Sequence, residues 1–90
     1  MRITDEEDSE VRQQLVAAVE NQLQDGELPF VQAVLNKLVL VGIERAEAVE
    51  MMAYVLATEI RQSFAQERGF DAGNYEHMLR ALPELPADDA

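Results

Sequence analysis

The run FVQAVLNKLVLVGI at residues 30–43 constrains this chain more than any other feature. At about 100° per residue, Phe30, Val31, Val34, Leu35, Leu38 and Val41 cover one broad arc of a helical wheel. Ala33 and Leu40 form a second small patch beyond Lys37, and Gln32 and Asn36 leave only a narrow polar wedge. A helix that is apolar around most of its circumference is buried on several sides. In 90 residues, that calls for either the central helix of a small bundle or a helix shared with a second subunit.

Chain length supports a single domain, and a domain this small buries only about 60% of its unfolded surface, so oligomerisation is a common supplement. With no cysteine, disulfides, thiolate metal sites and cysteine nucleophiles are excluded. The opening segment MRITDEEDSE is acidic and lacks an apolar core, so no secretory signal is expected there. The longest apolar run falls short of the roughly 20 residues that span a bilayer, and the expected location is the cytoplasm. Eighteen acidic residues against seven basic ones give a net charge of −11, with the cations scattered singly. Direct nucleic-acid binding is disfavoured, because it depends on neutralising phosphates. Such a surface serves solubility or meets a basic partner.

The rest of the chain also reads as helix. Thr4 with Glu7 has the form of a capping box, and Ser9 offers a second N-cap. Val11, Leu15, Ala18, Val19 and Leu23 then share one face, up to a stop at Gly26. Pro29 suits the first position of a second helix, which is expected to run to about Val41. Gly42 followed by Ile43 has the pattern of a Schellman stop, so a third helix starts almost at once and pairs with the second as a hairpin. That long third helix is expected from Arg45 to about Arg68, with Gly69 and Phe70 repeating the stop. Val49, Met52, Ala53, Leu56, Ile60 and Phe64 form its main stripe, and Ala48, Met51 and Val55 a second one, with Tyr54 alongside. Asp71 caps a short last helix whose Tyr75, Met78, Leu79 and Leu82 share a face, and Pro83 closes it. The expected fold is all-α: a compact bundle of about four helices spanning residues 9–82, after an acidic segment at 1–8 and before a frayed, Pro-rich acidic tail at 83–90.

Chemistry is sparse. Glu44, Glu47 and Glu50 recur every three residues, but no histidine follows any glutamate by three, as a di-iron carboxylate centre requires. His77, the one histidine, falls on the polar side of the last helix, with no dyad partner in Glu76. Thr4, Ser9, Thr58 and Ser63 lie outside any nucleophile motif, and Ser63 is placed to bond the carbonyl one turn back. No glycine-rich loop is present to cradle phosphate. Neither catalytic residue, cofactor nor metal ligand is assigned.

VENQL at 19–23, GIERAEA at 42–48 and YEHMLRALP at 75–83 together resemble a group of small bacterial all-helical proteins of unknown function, over about residues 9–85. The resemblance implies a bacterial cytosolic helical protein and carries no activity with it. Members of that group often bear histidines on the first helix and midway along the long one; this chain has Arg12, Val16 and Glu50 in those regions.

What remains is surplus apolar surface. The leading expectation is a non-enzymatic helical interaction module that forms a homodimer, or binds another protein, through Phe30, Ala33, Leu40, Ala48, Met51, Tyr54 and Val55. Two alternatives differ in kind. One is a small-ligand or divalent-metal protein using Glu47, Glu50 and Tyr54; the other is an acidic regulator of a basic nucleic-acid-binding partner.

Overall fold

A computed structural model describes residues 5–86. Four helices follow in order, α1 (Asp5–Asp25), α2 (Pro29–Leu40), α3 (Arg45–Ala65) and α4 (Ala72–Ala81), and no strand occurs among the described residues. The all-α bundle expected from the apolar periodicity is the observed fold. No described helix is long and apolar enough to cross a membrane.

Local cap chemistry sets most of the boundaries. α1 starts at Asp5, so Ser9 lies inside it rather than at its cap, and the alternative cap at Thr4 falls outside the described residues. Gly26 ends α1 in the left-handed conformation at φ 71°. α2 stops one residue early, at Leu40, and there the Schellman pattern is complete. The Gly42 N–H donates to the Val39 carbonyl, and the Ile43 N–H donates to the Leu38 carbonyl at 3.0 Å, with Gly42 at φ 101°. Asp71 caps α4 through Oδ1, which accepts from the Asn74 N–H at 3.1 Å.

α3 departs from expectation at its end. It stops at Ala65, before Arg68, and Glu67, not Gly69, takes the left-handed position at φ 51°. The same pair of hydrogen bonds recurs, from the Glu67 N–H to the Phe64 carbonyl and from the Arg68 N–H to the Ser63 carbonyl. The cause is tertiary: the early turn carries Arg68 back over α3, where its Nη1 donates to Glu59 Oε2 at 2.7 Å.

α2 and α3 each pack against all three other helices, whereas α1 and α4 have no close backbone approach to one another. The core is built from Val31, Val34, Leu35 and Leu38 of α2, Ala48, Val49, Met52, Ala53, Val55 and Leu56 of α3, Val19 of α1, and Tyr75, Met78, Leu79 and Leu82. Tyr75 ties the pieces together. Its ring meets Phe30 edge-on at 5.9 Å and Phe70 at 5.4 Å, and its hydroxyl donates to Gln22 Oε1 of α1 at 2.8 Å. Burial pushes the tyrosine pKa up to about 12 against the opposing pull of Gln22.

Three apolar residues placed on buried stripes by the wheel are solvent-exposed instead: Val11, Val41 and Phe64, the last at 80%. Val41 is the C-cap of α2 and has left the helical wheel. For Val11 and Phe64 the reason is length. α1 and α3 have 21 residues each, whereas α2 has 12 and α4 has 10. At about 1.5 Å per residue, the short helices cannot cover the long ones from end to end.

Candidate interaction surface

The seven residues assigned to an interface from sequence separate into three groups. Ala48 and Val55 are fully buried in the core of the single chain and have no surface left to offer another molecule. At these two positions the second stripe of α3 is covered by the chain's own helices. Phe30, Met51 and Tyr54 are half-buried, and the Phe30 ring is engaged by Tyr75. Ala33 and Leu40 face outward on α2, and Leu40 is 87% exposed.

The outward side of α2 is unusual in this chain. Its inner side commits Val31, Val34, Leu35 and Leu38 to the core, leaving Pro29, Gln32, Ala33, Asn36, Lys37, Val39 and Leu40 exposed. Residues 28–43 contain no Asp or Glu, although the whole chain carries eighteen. Gln32, Leu35, Asn36, Val39, Leu40 and Arg45 line a shallow cleft of about 380 Å³ on this side. Both cations near it are already held. Lys37 Nζ donates to the Arg80 carbonyl at 2.7 Å, and Arg45 grips Glu20 through two hydrogen bonds of 2.8 Å. The Gln32 side-chain amide donates to Asn36 Oδ1 at 2.8 Å, a bond that runs along the helix surface. The face is therefore apolar, free of acid and polar only along its centre.

A second feature escaped sequence reading. Glu59 is fully buried, four residues beyond Val55 on an otherwise apolar face of α3. Its carboxylate accepts from Arg68 Nη1 at 2.7 Å, the Asp71 N–H at 2.8 Å, Asn74 Nδ2 at 2.7 Å and the Ser63 hydroxyl at 3.0 Å. Burial pushes the carboxyl up, but Arg68, the Asp71 N–H, Asn74 and Ser63 together outweigh it and hold the pKa at about 2. This carboxylate is saturated with donors and stays ionised, so it has no lone pair to spare for a substrate proton. Its chemistry is that of a clasp joining α3, the following loop and the start of α4. The readable signal was a glutamate in an apolar stripe with an arginine just past the helix stop.

The other chemical candidates stay apart. Glu44, Glu47 and Glu50 are exposed, and no three His, Asp or Glu side chains among the described residues are grouped to hold a metal ion. His77 is exposed on α4, as its wheel position required. The Ser63 hydroxyl also lies 2.9 Å from the Glu59 carbonyl one turn back, the local bond foreseen for it, and Thr58 Oγ1 donates to the Tyr54 carbonyl at 3.0 Å. A small apolar cleft of about 240 Å³ lies between Ile60, Phe64 and Phe70, walled by Ser63 and Arg68 of the clasp.

Comparison of the chain with protein-family models, curated proteins and solved structures returned no match in any of the three.

Proposed function

We propose that this chain is a non-enzymatic helical interaction module that docks through the outer face of α2. The observation that carries this reading is Leu40: a large aliphatic side chain, 87% exposed, flanked by exposed Val39 and Val41 at the end of an acid-free helix. Single exposed leucines are ordinary. A run of exposed apolar residues at the end of the longest acid-free segment of a −11 chain is a different matter, since elsewhere the acidic surface repels other acidic molecules. Neither Val39 nor Leu40 is needed to close the core, so their apolar character serves something outside it.

A photo-crosslinking side chain placed at Leu40 in cells producing the protein tests the reading. Discrete covalent adducts are expected at that position and not at Gln24, an exposed polar position on α1. Equal, diffuse labelling at both positions would contradict it.

A further inference from the structure

We infer that the molecule covering the outer face of α2 is a second copy of this chain, with the two α2 helices antiparallel about a twofold axis beside Asn36. The inference rests on the interaction reading above and adds the partner and its geometry.

Charge is the first argument. Two copies of a −11 chain repel one another, and the contact that brings the fewest acids together is the face that contains none. Arg45 is paired with Glu20, and Lys37, bonded to the Arg80 carbonyl, keeps its charge but stands at the edge of the face, about 100° from Asn36, so the face presents no cluster of cations that would call for an acidic partner. A basic partner would instead prefer the acidic surfaces elsewhere.

The second argument is self-complementarity. Around α2, with Asn36 as the centre of the outer face, Pro29, Gln32 and Leu40 lie within about 40° and Ala33 and Val39 within about 60° on opposite sides. Gln32 and Leu40 sit about 6 Å before and after Asn36 along the axis. A twofold axis beside this centre keeps each lateral side and reverses the axial direction, so it sets Leu40 of one copy on Ala33 of the other, and Val39 of one on the Gln32 stem of the other. The large residues of the second half of α2 thus meet the small or flexible ones of the first half, twice, as an isologous contact requires. The two Asn36 side chains face each other across the axis. Each has an Nδ2 donor left after Oδ1 accepts from Gln32, and such a central amide pair fixes register between helices. α2 is 12 residues, or about 18 Å, long, so the contact is small and the dimer belongs to the weak, transient class.

The absence of native cysteine makes a direct test clean. Asn36→Cys, at an exposed position that leaves the core untouched, is oxidised mildly near the dissociation constant, beside Gln66→Cys as an exposed control on another face. The expected result is disulfide-linked dimer forming at least about tenfold faster from Asn36→Cys than from the control, through raised effective concentration. Adding Leu40→Asp should remove that advantage while helical circular dichroism stays intact. Equal rates for the two cysteines would overturn the twofold α2 contact. Equal rates together with a Leu40 photo-adduct to a different protein would overturn the second copy alone and leave the interaction reading standing. Equal rates with no Leu40 adduct would remove both.

Discussion

At the scale of single residues, the most consequential group is Glu59. A carboxylate with no exposed surface costs stability unless it is paired, and here every side-chain oxygen has a donor. Glu59→Gln keeps the shape but loses the charge and turns one acceptor into a donor facing other donors. It should destabilise the fold by about 2 kcal/mol in urea denaturation, a figure discounted for the partial exposure of Arg68. The pH dependence follows from the same site. Its folded pKa of about 2 lies below the ordinary 4.5, so the clasp contributes fully above pH 4.5 and its contribution fades as pH falls toward 2. Acid titration of stability should be shallower over that window in Glu59→Gln than in the parent. Glu67 holds strain of a different kind. Its φ of 51° is costly for a side chain with a β-carbon, so Glu67→Gly should raise stability by about 1 kcal/mol, read by the same urea titration.

At the scale of the elements, α2 divides into halves with opposite consequences. Leu38 is fully buried and Leu40, two residues on, is almost fully exposed. Leu38→Ala should cost about 3 kcal/mol of folding stability, whereas Leu40→Asp should change it by less than about 0.5 kcal/mol and act on assembly instead. Thermal unfolding of both variants checks the pair.

What was legible in the sequence follows the same division between local and tertiary causes. The Gly42-Ile43 stop, the Asp71 cap and the shared face of Tyr75, Met78, Leu79 and Leu82 depend on neighbours within a turn or two, and each is present in the structure. The end of α3 was not legible, because Arg68 leaves the helix to reach Glu59, nine residues back. Phe64 lies in phase with its stripe, yet its exposure depends on how far the shorter helices extend. A wheel counts the covered faces of a helix and is silent on what covers them. That is why Ala48 and Val55 could be read as a seam when they are core, while Ala33 and Leu40 were visible from the start as a patch outside the main arc.

At the scale of the whole molecule, the balance lies between a −11 charge that separates copies and one acid-free helix face that lets them approach. Salt acts on these two in opposite senses. Raising ionic strength from about 0.01 M to 0.15 M shortens the screening length from about 30 Å to 8 Å, which removes repulsion between distant acids and leaves apolar contact untouched. Association between copies should therefore strengthen several-fold with salt, as read by sedimentation equilibrium. Capture of a basic partner by the acidic surface would weaken over the same range. The most direct measurement is the absolute mass in solution by light scattering, from about 10 μM to 1 mM at 0.15 M salt. A weight-average mass that climbs from 10.1 kDa toward twice that value, and stays at 10.1 kDa for Leu40→Asp, is the predicted result. A parent chain that remains at 10.1 kDa across the whole range would contradict self-association through α2.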